Sequence, residues 1–213
     1  MVGKRDIRKI RILDGLHYSF GLLNYFYSDL HEICCSILKD NSQVVRALAH
    51  SWGFIDALHR VRELAQSIPD LSVRHPEIRF FLSKTRLAED YRHYIQHLRN
   101  ELAKDPPNMF PVWGSLSWVD QDNEEISHLV IFGAHIKNIK YTGCVFDTKE
   151  KRWVSKVSLG VAYRSFNFDP IYDASMRFQE FIIPYLLEGA SNYFQIRDEL
   201  PIVTMKINLK NNT

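Results

Sequence analysis

The 213-residue sequence predicts an α+β protein: an N-terminal up-and-down bundle of about four helices, packed on a C-terminal antiparallel sheet with one long helix. Three observations predict it. Apolar residues recur at threes and fours through the first half, the signature of amphipathic helices. The proline pair Pro106-Pro107 then interrupts that period. Beyond it the period falls to two, and Trp, Val, Thr and Tyr become frequent, as strands prefer. The halves are therefore drawn as residues 1–106, the bundle, and 107–213, the sheet-bearing part, packed together without a flexible linker.

Taken in order, Leu16, Phe20, Leu23, Phe26, Leu30, Ile33 and Ile37 define a long first helix from Leu13 to about Lys39. Asn41 and Ser42 are cap-type residues before a second run through Val45, Leu48, Trp52, Ile55, Leu58 and Val61, which stops ahead of the Pro69-Asp70 turn. HPEIRFFLS reads as a short helix opening at Pro76, and Thr85 is placed to cap a fourth helix that ends before Pro106. In the second half, strands are expected at Trp113–Val119, His128–Ala134 and Ile136–Phe146, with a hairpin at DTKEKR. WVSKVSLGVAY alternates, so Val157, Leu159 and Val161 share an apolar face opposite Lys156, Ser158 and Gly160. A helix over Ala174–Glu188, kinked or broken by Pro184, precedes a final strand with Val203, Met205, Ile207 and Leu209 on one face.

With 46% hydrophobic and 24% charged residues the chain can bury a substantial core. A net charge of +2 is too mild to announce nucleic acid by itself. Its distribution is uneven: 16 cations face 13 carboxylates in residues 1–111, and 11 face 12 in the rest. Cys34, Cys35 and Cys144 are odd in number, and two are adjacent, which is not the pattern of a disulfide framework. The charged start MVGKRDIRKIRIL lacks a signal-peptide core, and no apolar run of about 18 residues occurs. The expectation is a cytoplasmic protein without a membrane span.

One short stretch concentrates chemistry-bearing residues: EDYRHYIQHLRNEL, residues 89–102. At about 100° per residue, Leu87, Tyr91, Tyr94, Ile95, Leu98 and Leu102 form a buried stripe, and Arg92 and His97 border it on opposite sides. Histidine moves protons near neutrality, and the planar arginine fork matches phosphate oxygens. His93 and His97, at i and i+4, are also spaced for a metal, with Asp90 or Glu101 to join them. Tyr94, however, stands where a zincin has its glutamate, and no third histidine follows, so no metal or cofactor is expected.

Arg92-His93-Tyr94-Ile95-Gln96-His97 resembles the Arg-x(4 to 6)-His motif of the HEPN superfamily, helical-bundle domains that carry it on a late helix. The resemblance covers roughly residues 13–105 and rests on the spacing, on His93 directly after the arginine, and on the motif's place in the bundle. It implies metal-independent RNA cleavage, with His97 moving a proton and Arg92 holding the scissile phosphate. It also implies a homodimer whose cleft combines two motif helices, with His93, Gln96 and Asn100 in support. The alternative is a non-catalytic module of a bacterial defence or stress system, binding a partner protein or RNA. An exposed Arg and His beside an apolar stripe are also an ordinary solvated face or interface rim.

Other candidates carry less. Asp56 three residues before His59, with Arg60 and Arg62 nearby, reads as a local hydrogen bond or salt bridge, or as support beside the Arg92 helix. Cys34 and Cys35 read as buried small hydrophobes. The aromatics of VWGSLSWV, with Tyr141, Phe146, Trp153 and Tyr163, read as a core face rather than an RNA-stacking sheet. Glycine-rich phosphate loops, GxSxG elbows and CxxC pairs do not occur.

Overall fold

A computed structural model describes residues 4–105, 109–133 and 139–190. It has the expected α+β plan: helices first, then a four-stranded antiparallel sheet, then one long helix. The final strand expected over 203–209 lies outside the described residues.

Two of the expected helices are each divided. The first runs as α1 (Lys4–Ser28) and α2 (Leu30–Ser36), interrupted at Asp29. Then come α3 (Gln43–Gln66) and α4 (Pro76–Lys84), the latter opened by Pro76 with His75 Nδ1 accepting from the Glu77 N–H. The motif helix is divided into α5 (Arg86–Gln96) and α6 (Leu98–Leu102) at His97. Thr85 precedes α5 but its hydroxyl does not cap it. The hydroxyl instead donates to the Phe81 carbonyl at 2.7 Å and accepts from the buried Arg62.

The sheet is built from β1 (Ser115–Val119), β2 (Ser127–Ile131), β5 (Val157–Val161) and β6 (Arg164–Asn167), in the order β2-β1-β5-β6. A small hairpin, β3 (Phe146–Asp147) with β4 (Arg152–Trp153), stands apart. Leu116 pairs with Leu159, and Leu159 with Phe166, so one face is apolar and packs on the helices. The strand expected over Ile136–Phe146 is not formed over residues 139–145, and only its last residue, Phe146, is in a strand, β3. Residues 139–145 are irregular, and 141–144 carry Thr142, Gly143 and Cys144 across the sheet's other face. That face is made of Ser115, Ser117, Ser158 and Gly160, small enough to admit the crossing chain. Every residue of β1 and β5 is consequently buried, so the alternation in β5 marks two covered faces and not one solvated face.

Helix α7 (Phe168–Ala190) begins directly after β6 and continues through Pro184, longer than expected and unbroken. It returns along α1 and α4, where Phe178 stacks on Phe81 (4.3 Å between centroids, 8° between planes) and lies near Phe20. One apolar core runs from Leu16, Phe20 and Phe54 through Phe81 and Tyr91 to Leu159, Phe166 and Ile182. Among the described residues no helix is long and apolar enough to cross a membrane.

Candidate functional site

The motif helix is anchored from below by Tyr91. Its ring packs between Trp52 of α3 and Phe166 of β6, and its hydroxyl donates to the carbonyls of Leu159 (2.8 Å) and Arg164 (2.9 Å). Burial pushes that phenol well above its ordinary range, so it stays a proton donor at any physiological pH. Tyr94 adds a hydroxyl bond to the Val112 carbonyl at 3.0 Å. The expected stripe is thus buried at Tyr91 and half-buried at Leu87, Tyr94, Ile95 and Leu98. It fails at Leu102, which is 63% exposed because the helix axis is interrupted before that residue is reached.

The interruption falls on His97. Its backbone (φ −107°, ψ 26°) closes α5 and opens α6, whose first amides, Asn100 and Glu101, bond to the His97 carbonyl at 2.8 and 3.1 Å. His97 therefore projects from a junction. It is exposed, and its ring lies against that of His93, with centroids 4.3 Å apart. Asn100 is exposed on α6.

Arg92 belongs to a different cluster. Its Nη1 donates to Asp56 Oδ1 of α3. The other carboxylate oxygen of Asp56 accepts from Arg60, through Nε at 3.0 Å and Nη2 at 2.8 Å. With its amide oxygen turned to the guanidinium, Gln96 accepts from Arg92 Nη2 (3.3 Å) and Nε (3.2 Å). Both sides of the guanidinium are thereby engaged, and the Arg92 and Asp56 side chains are each about two-thirds shielded from water. The structure brings Arg92 together with Gln96 and His93 together with His97, and among the described residues no side-chain hydrogen bond or ring contact joins the two pairs.

Asp56 is expected in a local hydrogen bond or salt bridge, three residues before His59 and with Arg60 and Arg62 nearby. The carboxylate serves Arg60 and Arg92, and His59 Nδ1 is buried with no hydrogen-bond partner among the described residues. The i, i+4 spacing of Asp56 and Arg60 was a readable signal. The reach across to α5 agrees with the reading of Asp56 as support beside the Arg92 helix.

The nearest cleft, about 570 Å³, lies between α5, α6 and the β5–β6 turn. His93 and Tyr94 line it, whereas Arg92 and His97 do not. Its charges cancel: Arg86, Lys104 and Arg164 stand against Glu89, Asp90 and Glu101. Asp90 pairs with Arg164 at 2.8 Å and Glu101 with Lys104 at 2.6 Å. Ala162 and Tyr163 in the adjoining turn take left-handed backbone angles (φ 47° and 66°) that glycine and asparagine usually supply. A smaller cleft at the other end of the sheet gathers His31, Glu32, Asp120 and Lys156. Among the described residues, no three His, Cys, Asp or Glu side chains are arranged to hold a metal ion. The cysteines are free thiols, and burial pushes the Cys34 thiol upward, which suits a packing role.

No protein-family model, no curated protein and no solved structure matches this chain.

Proposed function

We propose that this chain is a non-catalytic binding module on a HEPN-like helical bundle, and that its partner is a protein. The observation that carries the reading is the clamp on Arg92. A phosphate-holding arginine needs free donors aimed at an open groove. Three of the N–H donors of Arg92, one on each guanidinium nitrogen, are directed to Asp56 and Gln96, and a phosphate arriving there would meet the Asp56 carboxylate. His97, the other half of the motif, faces water from a helix junction. The adjacent cleft has no net charge, which suits a protein surface better than an RNA backbone.

The test is cleavage of a mixed pool of total RNA, tRNA included, in EDTA by the full chain, by Arg92→Ala and by His97→Ala. All three should be inert. Cleavage by the wild type, leaving 2′,3′-cyclic phosphate ends, with both variants folded but dead, would establish the ribonuclease instead.

A further inference from the structure

Among the described residues the four-stranded sheet has an open edge at β2, which pairs with β1 alone. Register tells which backbone groups stand on that edge. The Phe132 amide bonds to the Gly114 carbonyl and the Asp120 amide to the Ile126 carbonyl, so the even-numbered residues of β2 exchange bonds with β1. The amides and carbonyls of Ser127, Leu129 and Ile131 therefore point away from it, and no hydrogen bond from the described residues reaches them. An open edge is a template for another strand, and proteins blunt it with charge, proline, bulges or shortness. The opposite edge, β6, is four residues long and carries Arg164, which pairs with Asp90. By contrast β2, SHLVI, has no lysine, arginine or proline, and its register with β1 is unbroken.

One face beside this edge is apolar. Cys144 lies over Ser117, whose cross-strand neighbour is Leu129, and Val145 and Phe146 follow it directly. Leu129, Val145 and Phe146 are 45%, 50% and 46% exposed, and Val154, whose amide bonds to the Val145 carbonyl, is exposed as well. A strand added to β2 would have to be apolar at every second residue to cover them. One segment of the chain has that pattern. In PIVTMKINL, residues 201–209, Val203, Met205, Ile207 and Leu209 alternate with Thr204, Lys206 and Asn208, and the segment lies outside the described residues. The connection is long enough. Helix α7 leaves the sheet at β6 and runs for 23 residues, about 34 Å at 1.5 Å per residue, and residues 191–201 span up to about 36–40 Å when extended.

We propose that the β2 edge is the docking site of the chain's own C-terminal segment, residues 202–209, which adds as a fifth strand. Its backbone takes the outward amides and carbonyls of Ser127, Leu129 and Ile131. Its apolar face, Val203, Met205, Ile207 and Leu209, covers Leu129, Val145 and Phe146, and Thr204, Lys206 and Asn208 fall on the opposite face. The assignment does not depend on the reading of the Arg92 cluster.

The test is nuclear magnetic resonance of the isotope-labelled full chain, with amide hydrogen exchange. Cross-strand nuclear Overhauser contacts should join the backbone of residues 127–131 to that of 203–209. The variant carries Lys206→Pro with Ile207→Pro, so that one proline stands where a ladder amide is needed whichever of the two residues faces β2. In it those contacts should vanish, and the Leu129 and Ile131 amides should exchange at least about tenfold faster than in the wild type. Leu129→Asp should release the segment from the other side and abolish the same contacts. Amides of β1 and β5 should stay protected in both variants, which separates release of the segment from unfolding of the sheet. Absence of the contacts in the wild type, or protection of Leu129 and Ile131 that survives the proline pair, overturns the proposal. So do contacts found only between differently labelled copies in a mixed sample, since a second copy would then cover the edge.

Discussion

Arginines in this protein do structural work that the sequence announces poorly. Arg62 is nearly buried and ties three elements, donating to the Leu82 carbonyl, the Thr85 hydroxyl and Glu89, each at 2.7 Å. Arg62→Ala strands those acceptors and should cost about 2–4 kcal/mol in urea unfolding, whereas Arg60→Ala, on the exposed side, should cost under about 1 kcal/mol. From the sequence, Asp56, Arg60, Arg62 and Arg92 are four charges on two helices, and which cation takes which carboxylate depends on helix rotation and crossing. Spacing alone does not carry that. Acid behaviour offers a second prediction at this scale. His128 donates to Asp120 at 2.7 Å, and that bond, with the amides of Asn123 and Asp122, holds the carboxyl below its ordinary range. A folded-state value below the unfolded one stabilises above the unfolded pKa, about 4, and the stabilisation is lost as pH falls through the folded value. Asp120→Asn should therefore lower stability near neutrality, where the contribution of the bond is complete, and the difference from the wild type should shrink as pH falls below about 4.

At the scale of elements, the sequence shows which period each segment has and says little about what covers it. Val157, Leu159 and Val161 read correctly as one apolar face. The facing Ser158 and Gly160 read only as the opposite face, and they are small because Thr142, Gly143 and Cys144 pass over that face. A Cβ on Gly160 would run into Thr142 Oγ1 and come within 2.9 Å of Ser115 Oγ. Gly160→Val should consequently destabilise by about 2–3 kcal/mol, measured by thermal and urea unfolding. The contrary case is Gly21, where space is open: Gly21→Ala should stabilise the isolated chain by about 0.5–1 kcal/mol. The division of the motif helix at His97 was equally illegible. Leu98 and Leu102 continue the stripe in sequence, and no proline or glycine marks the junction.

For the whole molecule, the α+β plan was legible because the change of period at residue 107 is abrupt. The place of α7 was not: an amphipathic helix after a sheet has no sequence mark saying that it folds back between α1 and α4. It does so through Phe178, buried against Phe81 and near Phe20, and Phe178→Ala should cost about 3–5 kcal/mol. Because the same apolar core runs through both halves, far-ultraviolet dichroism and tryptophan fluorescence should report a single coincident transition. The motif itself was found from the sequence, but what it does depends on which neighbours claim Arg92. If the guanidinium is held by Asp56 for stability, the two side chains must be energetically coupled. The most direct measurement is a double-mutant cycle in urea with Asp56→Ala, Arg92→Ala and the pair. A coupling of about 1 kcal/mol is expected between these partly shielded groups. Losses that simply add, within about 0.3 kcal/mol, would mean that Arg92 is not clamped in solution and is free to meet a phosphate.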